Sequence, residues 1–217
     1  PVLRAVELVV GSGEAVAIIG RNGAGKSTFL GCITGDRLPD EGKVRISGLD
    51  PFADPVAVAE CIGFVPEQPF LYGELTIGET IDFVADARRM QRPHARREAS
   101  RLLALLGMHN AERLLCRELS QGMGRKVALV IALLHGPRLI VLDEAFNGLD
   151  QASAAGLAEE LDLRRSAGAA VVMSSHDLEF LANHCERGLL LAPNATATLL
   201  EGDAWRRWRE TPTLDPA

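Results

Sequence analysis

Residues 20–27 read Gly20-Arg-Asn-Gly-Ala-Gly-Lys-Ser27, and this stretch decides the fold of the 217-residue chain. It fits the pattern G-x-x-x-x-G-K-S/T, follows a short apolar run at 16–19 and leads into a predicted helix from Thr28. Glycines let consecutive backbone N–H groups turn inward around a phosphate, and the start of the following helix adds partial positive charge. The stretch therefore predicts a nucleotide phosphate-binding loop between a strand and a helix.

Each fixed residue type in this loop has a predicted role. Lys26 is expected to reach the β- and γ-phosphate oxygens of the nucleotide, and the Ser27 hydroxyl to ligate Mg²⁺. The expected cofactors are ATP and Mg²⁺. The predicted nucleotide-binding residues of the loop are Gly20, Arg21, Asn22, Gly23, Ala24, Gly25, Lys26, Ser27 and Thr28.

A second apolar run, residues 139–142, ends in Asp143 and Glu144. A carboxylate at the end of a buried strand is the second Mg²⁺ anchor that a phosphate-binding loop requires, so Asp143 is the predicted metal ligand beside Ser27. Neighbouring residues at a strand end can face the metal and the nucleophile separately. Glu144 is therefore predicted to orient or deprotonate the attacking water, which extends the prediction from binding to hydrolysis.

Short apolar runs alternate with longer helical patterns along the chain, which predicts an α/β fold. The runs at 16–19, 139–142, 170–173 and 188–191 are expected to form a mainly parallel central sheet. Residues 3–10 and 43–46 alternate polar and apolar side chains between glycine turns, which predicts an antiparallel β subdomain beside that sheet.

Between residues 76 and 117 the apolar residues recur with helical spacing, which predicts a small helical subdomain. Ile77, Ile81 and Val84 form one stripe, and Pro93 separates it from a second, leucine-rich stripe at 102–106. The fold class is thus α/β, with a P-loop NTPase core, an antiparallel β subdomain and a helical subdomain. As one domain, 1–217, it divides into 1–75 and 118–205 (core and β subdomain), 76–117 (helical subdomain) and 206–217 (C-terminal tail).

Two charged segments each have two interpretations. The arginines from Arg88 to Arg101 fit a solvated face, which we favour, or a surface that contacts a partner or lipid headgroups. The segment from Trp205 to Arg209 fits a helix that covers its own domain, which we favour, or one that docks on a neighbour.

Composition argues against several classes of function. The formal net charge of -6 gives no global attraction to nucleic acid, so no direct nucleic-acid partner is expected. The longest apolar run, residues 127–134, is far shorter than the roughly 20 residues of a membrane-spanning helix. The chain begins at Pro1 without a secretory leader, which suggests an incomplete N-terminus and a cytoplasmic protein. Four widely separated cysteines are expected to be reduced packing residues.

Between the phosphate loop and Asp143 stands Leu119-Ser-Gln-Gly-Met-Gly-Arg-Lys126, which is similar to the LSGGQ signature of the ABC (ATP-binding cassette) ATPase family. The resemblance continues in Asn147-Gly-Leu-Asp150, like the D-loop, and in Ser174-Ser-His176-Asp177, like the switch histidine after a strand. Order and spacing agree along nearly the whole chain. The LS-x-GM signature and the Pro66-Glu-Gln-Pro-Phe-Leu-Tyr72 loop look most like stand-alone, exporter-type cassettes.

The resemblance implies further site residues. Ser120 and Gly122 would cap the helix that follows them, and in the family this helix end faces the γ-phosphate held by the opposite subunit. That implies a head-to-tail homodimer or heterodimer with two ATP molecules between the subunits. His176 becomes a γ-phosphate sensor. The family's Q-loop residue is assigned to Gln68 by residue identity, although counting back from Leu71 favours Glu67.

The sequence departs from the family pattern in three places. Gln121 and Met123 replace the usual Gly and Gln of the signature, and Ala145 replaces the usual Pro after Glu144. No aromatic residue precedes Gly20 in this sequence, so the side chain that normally stacks on adenine is absent or lies before Pro1. The phosphate-facing residues remain, and we expect the catalytic site to survive.

The resemblance implies the ATP-binding and ATP-hydrolysing subunit of an ABC transporter. Dimer closure on ATP would drive transmembrane permease subunits, with this chain held peripherally on the cytoplasmic face of the membrane. The alternative is a non-transport ABC ATPase that acts on a soluble or nucleic-acid assembly, for which two tandem cassettes, a long coiled coil or a basic face would be expected. A non-hydrolysing regulator would lack Glu144 or Lys26, and both are present.

Overall fold

The computed structural model of the protein describes residues 2–192 and 195–214. Its strands are β1 (Ala15–Gly20), β2 (Ile62–Val65), β3 (Leu139–Asp143), β4 (Ala170–Ser174), β5 (Arg187–Leu191) and β6 (Ala197–Leu200). They form one sheet in the order β2-β3-β4-β1-β5-β6, in which every neighbouring pair is parallel except β5 and β6. The predicted α/β fold with a mainly parallel sheet is confirmed.

The helices are α1 (Lys26–Thr34), α2 (Pro55–Cys61), α3 (Ile77–Ala87), α4 (Arg92–Leu105), α5 (Gln121–Leu133), α6 (Gln151–Ser166), α7 (Leu178–His184) and α8 (Gly202–Glu210). Two short 3-10 turns, Ala111–Arg113 and Cys116–Glu118, precede α5. Within the described ranges, every helix is too short or too polar to cross a membrane.

The four predicted apolar runs are strands β1, β3, β4 and β5. Every residue of β1, β3 and β4 is buried, because both faces of this part of the sheet are covered. Side chains alternate between the faces, so that Ile19 joins a larger apolar cluster and Ile18 a smaller one. Since these strands are parallel, their carboxyl ends at Gly20, Asp143 and Ser174 lie along the same edge. This edge carries the functional site.

The antiparallel β subdomain is not formed by the segments that predict it, and this part of the expectation is wrong. In the described part of the chain, residues 3–10 and 43–46 contain no strand. The first segment packs apolar side chains on the smaller cluster, but Ala5 at φ 49° interrupts its extended backbone. In the second, Ile46 alone pairs, with Leu49 across a two-residue turn. The antiparallel pair of the sheet is instead β5 and β6.

Helices α3 and α4 lie where the helical subdomain is predicted. A capping box between Thr76 and Glu79 begins α3, and Pro93 lies in the first turn of α4, where a missing N–H costs nothing. Arg101 of α4 donates two 2.8 Å hydrogen bonds to the buried carboxylate of Glu160 on α6, which ties the two helices together. The predicted boundaries 76–117 remain a prediction.

The arginine-rich face of α4 is mostly solvated, as favoured from the sequence. Arg92 and Arg96 pair with Asp86 and Asp82 of α3, and their side chains remain 55% and 65% exposed. Exposed pairs of this kind contribute little to stability, typically about 0–1 kcal/mol. Arg101 differs from them because its partner Glu160 is buried.

The C-terminal helix covers its own domain, as favoured from the sequence. Trp205 and Trp208 are buried and stack with ring centroids 4.8 Å apart, and α8 packs against α7, β5 and β6. Helix α8 is continuous across the predicted boundary between residues 205 and 206, and the two tryptophans lie on one face of it. Residues 215–217 of the predicted tail, and Pro1, lie outside the described residues.

Candidate nucleotide site

The phosphate loop connects β1 to α1, as predicted. Gly20 ends the strand so close to its neighbour that a Cβ would lie 2.8 Å from the carbonyl oxygen of Leu191. Gly25 precedes α1 with φ 103°, a left-handed conformation that favours glycine. Among the described residues no side chain caps α1, so its first backbone N–H groups face the loop as donors for an anion.

Lys26 lies across the loop that precedes it. Its Nζ donates a 2.9 Å hydrogen bond to the carbonyl oxygen of Gly20, which holds the ammonium over the turn. Ser27 is exposed at the start of α1, and Thr28 is half-buried behind it. The loop therefore carries two cationic side chains, Arg21 and Lys26, the Ser27 hydroxyl and several backbone donors, which suits a phosphate chain.

Asp143 ends β3 and Glu144 follows it, at the edge of the sheet that carries this loop, and they are 4% and 2% exposed. The Ser174 hydroxyl donates a 2.6 Å hydrogen bond to Oδ1 of Asp143 and accepts a 3.0 Å bond from the backbone N–H of Glu144. Ser174 thus fixes both residues from the adjacent strand. Glu144 has φ 51°, a strained conformation for a residue with a side chain and one found often at functional sites.

The two oxygens of the Glu144 carboxylate differ in their hydrogen bonding. Oε2 accepts hydrogen bonds from the backbone N–H of His176 (2.9 Å) and from Nδ2 of Asn147 (3.1 Å). Oε1 is buried and has no hydrogen-bond partner among the described residues, while Nε2 of His176 lies 3.5 Å from it. An oriented carboxylate with a free oxygen can accept a proton from a water molecule.

Ser120 caps the helix that follows the signature, because its hydroxyl accepts a 3.3 Å hydrogen bond from the backbone N–H of Met123. Gly122 in the first turn of α5 lies so close to residues 147–150 that a Cβ would be 2.9 Å from the carbonyl oxygen of Gly148. Lys126, also on α5, pairs with Asp150 at 2.6 Å. The hydrogen bond from Lys126 holds the pKa of the Asp150 carboxyl well below its usual range.

A phosphate loop, two strand-end carboxylates, a capped signature helix and a histidine after β4 thus stand in one arrangement. The sequence pattern of the ABC transporter family matches residues 3–147. The chain belongs to the ABC transporter family.

Relatives of this ABC cassette carry the same assignment. It is 32% identical to the ABC-type transporter ATP-binding protein EcsA of Bacillus subtilis (strain 168), over 88% of this chain and 77% of EcsA. It is 33% identical to the SkfA peptide export ATP-binding protein SkfE of the same organism, over 82% of this chain and 74% of SkfE.

Solved structures agree in fold. The cassette matches an ATP-binding subunit of an ABC transporter with a TM-score of 0.89 and 30% identity, covering 98% of this chain and 90% of the other. It matches the dimeric post-hydrolysis state of the ATP-binding cassette MJ0796 bound to ADP and Pi with a TM-score of 0.81 and 27% identity, covering 93% and 91%. The cassette is therefore an ATP-binding and ATP-hydrolysing subunit of the ABC transporter family.

The fold brings most of the predicted site residues to one edge of the sheet. The phosphate loop, Asp143, Glu144 and His176 follow the carboxyl ends of β1, β3 and β4. Glu67 and Gln68 are exposed and follow β2, the next strand along that edge. They line a cavity of about 250 Å³.

Ser120 and Gly122 stand apart from the phosphate loop of their own chain. No hydrogen bond among the described residues joins either of them to residues 20–28. They lie at the start of α5, which packs on β2, α3 and α4. Their assignment as nucleotide-binding residues stays a prediction.

Sequence reasoning missed four residues that shape the site: Arg125, Lys126, Asn147 and the role of Ser174. Arg125 and Lys126 are only 6% and 9% exposed, although charged residues usually stay in water. The available signal was their position in the first half of an otherwise apolar helix, where a charge needs a fixed partner.

Proposed function

We propose that this cassette powers a separate membrane permease by hydrolysing ATP between two cassettes arranged head to tail. The observation that carries the proposal is the division of the site. Lys26, Asp143 and Glu144 lie at one edge of the sheet, whereas no hydrogen bond among the described residues joins Ser120, the cap of the signature helix, to the phosphate loop of its own chain. A second cassette facing the first would bring its Ser120 to the open side of the phosphate loop.

The residues of the phosphate loop fit Mg²⁺ together with a triphosphate. The Ser27 hydroxyl and the Asp143 carboxylate are hard oxygen donors, and Mg²⁺ bound to nucleotides commonly takes one or two protein ligands and fills the rest with phosphate and water. The ion, when bound, neutralises charge on the phosphates. Lys26 binds the β- and γ-phosphates, and the backbone donors of residues 20–28 enclose them.

Glu144 orients the attacking water and accepts its proton, for which its buried and unpaired Oε1 is suited. His176, next to that oxygen, contacts the γ-phosphate. Gln68, or Glu67 beside it, lies in the loop after β2 and is the last of the proposed catalytic residues.

Dimer formation is supported by the dimeric structures of the similar cassette MJ0796. The partner is a second copy of this chain or another ABC ATPase domain. In either case Ser120 and Gly122 of each cassette face the nucleotide held by the other, and turnover depends on closure.

The proposed contact with the permease is an exposed aromatic patch just after β2. Phe70, Tyr72 and Phe83 are 79%, 54% and 54% exposed, and their rings meet edge to face at 5.3 and 6.0 Å. Exposed apolar patches mark protein or membrane contacts. Because Phe70 and Tyr72 follow Gln68 in the same loop, a movement of the permease at this patch would also displace Gln68 at the nucleotide site.

An export function on the cytoplasmic face of the membrane is the finer proposal. It is supported by the names of two relatives, the SkfA peptide export ATP-binding protein and the Nod factor export ATP-binding protein I of Azorhizobium caulinodans. In this arrangement the cassette is peripheral and held by the permease.

Two variants test the roles of Glu144 and the dimer. Glu144→Gln should lower ATP turnover by roughly 10²–10³-fold, since it removes the proton acceptor, and should accumulate an ATP-bound dimer in light scattering. Glu159→Gln, an exposed glutamate on α6, is the matched control and should behave like wild type. Unchanged turnover in Glu144→Gln, or a strictly monomeric profile with ATP, would contradict the proposal.

The permease contact has its own test. Tyr72→Ala combined with Phe83→Ala should keep basal ATP turnover and lose its stimulation by a permease that copurifies with this chain, reconstituted in lipid. Leu163→Ala removes an equally exposed apolar side chain from α6 and should keep the stimulation. Equal stimulation of the wild type, the double variant and Leu163→Ala would rule out this surface as the permease contact.

A further inference from the structure

Arg125 is a buried cation that joins two loops of the nucleotide site. It lies in the first half of α5 and is 6% exposed. Its Nη1 donates to the carbonyl oxygen of Asn147, and its Nη2 donates to the carbonyl oxygen of Glu67. Among the described residues no carboxylate pairs with it, and its Nε is buried without a partner. Because burying a charge is costly, its placement between two carbonyls calls for a functional reason.

The two carbonyls belong to different loops. Glu67 stands 58 residues before Arg125 and follows β2, whereas Asn147 stands 22 residues after it and follows β3. A guanidinium presents several N–H donors in a rigid planar fork, so a single side chain can hold both loops at a fixed separation. An ammonium in the same place is a point charge and lacks that geometry.

Asn147 carries the link onward to Glu144. The Asn147 side chain donates a 3.1 Å hydrogen bond to Oε2 of Glu144, and its backbone N–H donates to the Glu144 carbonyl oxygen at 3.1 Å. Arg125 binds the backbone carbonyl oxygen of Asn147. The position of the guanidinium therefore decides where the Asn147 amide lies, and the amide orients the carboxylate.

We propose that Arg125 is a positioning residue for ATP hydrolysis. It locks residues 66–69 and Asn147 into one arrangement and, through the Asn147 amide, sets the orientation of the Glu144 carboxylate. This inference rests on the proposed role of Glu144 as the proton acceptor. It adds that the loop after β2 and the loop after β3 cannot shift independently, so a displacement at the aromatic patch is felt at Glu144.

The first experiment separates positioning from general stability. Arg125→Lys keeps a buried cation but cannot hold both carbonyls, so kcat for ATP should fall by roughly 10–100-fold, the effect expected from a small misplacement of a catalytic group. Binding of ATP, measured with a fluorescent analogue, should stay within about twofold because the phosphate loop is untouched.

Arg164→Lys is the matched control. Arg164 on α6 is a mostly buried arginine that also donates to a backbone carbonyl, that of Leu133 at 2.9 Å, but no hydrogen bond among the described residues joins it to the loops after β2 and β3. Thermal unfolding is measured on both variants. If kcat of Arg164→Lys falls as far as that of Arg125→Lys at an equal loss of stability, Arg125 has only a structural role.

A double-mutant cycle tests the route through Asn147. Asn147 is exposed, so Asn147→Ala should fold, keep the carbonyl that Arg125 binds and lose the amide that orients Glu144. Its kcat should fall, and adding Arg125→Lys should lower kcat little further, because both changes break the same link. Unchanged kcat in Asn147→Ala, or losses that multiply in the double variant, would overturn the proposal.

The Glu144→Gln variant shows whether a failed test contradicts the assignment of Glu144 as proton acceptor or only the positioning role of Arg125. If that variant keeps wild-type turnover, the assignment of the proton acceptor is at fault. If it loses turnover while Arg125→Lys and Asn147→Ala keep theirs, the assignment stands and the positioning role of Arg125 is wrong.

Discussion

Nε2 of His176 lies 3.5 Å from Oε1 of Glu144, a buried carboxylate oxygen that has no hydrogen-bond partner among the described residues. The imidazole is half exposed, whereas the carboxylate is almost fully buried. The backbone N–H of His176 holds the other oxygen of the same carboxylate at 2.9 Å. His176 therefore has two separable functions, one of the main chain and one of the ring.

Removal of the ring alone should lower ATP turnover without displacing Glu144. In His176→Ala the backbone hydrogen bond to Oε2 should persist, so the carboxylate keeps its place while the proposed contact with the γ-phosphate is lost. We expect turnover to fall by roughly 10²-fold or more, measured as phosphate release, with ATP binding retained. His94→Ala, an exposed histidine in the first turn of α4, is the control. Equal turnover in both variants would remove His176 from the site.

Ser174 should matter both for stability and for turnover. Its hydroxyl is the shared partner of Oδ1 of Asp143 and the backbone N–H of Glu144, and Ser174→Ala leaves both groups buried without it. We expect a loss of about 1–3 kcal/mol in the free energy of unfolding and a rise in the Mg²⁺ concentration needed for half-maximal turnover.

Ser175→Ala is the comparison for that variant. Ser175 is also buried, but its hydroxyl accepts from the backbone N–H of Asp177 and, among the described residues, has no hydrogen bond to either carboxylate. It should lose stability without a change in Mg²⁺ dependence. The same Mg²⁺ dependence in wild type and Ser174→Ala would show that Asp143 does not need this hydroxyl.

The edge of the sheet that carries the site could be predicted from the sequence because its strands are buried on both faces. Runs such as 139–142 contain only apolar residues, and a strand of this kind must lie in the centre of a parallel sheet. Polar residues immediately after such runs, Asp143 and His176 among them, must then meet at one edge. Periodicity and motif spacing therefore suffice for this part of the molecule.

Other elements depend on contacts that a sequence does not display. Strand β2 has only four residues and includes Gly63, which weakens its strand pattern, yet a Cβ there would lie 2.1 Å from the carbonyl oxygen of Ala132. Segment 3–10 has the alternation of a strand but no ladder. The buried cations Arg125 and Lys126 are stabilised by groups far away in sequence, so their apolar helix indicates that they need partners but does not show which groups those are.

Two glycines of α5 should respond in opposite directions to the same substitution. A Cβ on Gly122 would lie 2.9 Å from the carbonyl oxygen of Gly148, whereas one on Gly124 would make an ordinary 3.9 Å contact with Leu71. Gly122→Ala should therefore lower the free energy of unfolding by about 1–3 kcal/mol. Gly124→Ala should raise it by about 0.5–1 kcal/mol, because alanine favours the helix.

Chemical denaturation of the two variants, compared with wild type, measures this difference. Equal stability of Gly122→Ala and Gly124→Ala would mean that the loop at Gly148 is free to move away from α5. That outcome would also weaken the proposed link between α5 and residues 147–150.

His135 should make the cassette less stable as the pH falls. Burial, together with the positive charges of Arg88 and Arg164, lowers the pKa of His135 from 6.5 to about 4, although the Ile62 carbonyl partly opposes this shift. Between these values the unfolded chain binds a proton that the folded protein excludes, so stability is full above about pH 6.5 and declines toward pH 4.

The loss should amount to about 1–2 kcal/mol, discounted because the ring is partly exposed, and it is measured as the free energy of unfolding in urea at about pH 7.5 and about pH 5. His135→Gln has no titrating ring, so its free energy of unfolding should change less over the same interval. His109→Gln, a substitution of an exposed histidine in the turn after α4, is the control. A wild-type slope that survives in His135→Gln would assign the pH dependence to other groups.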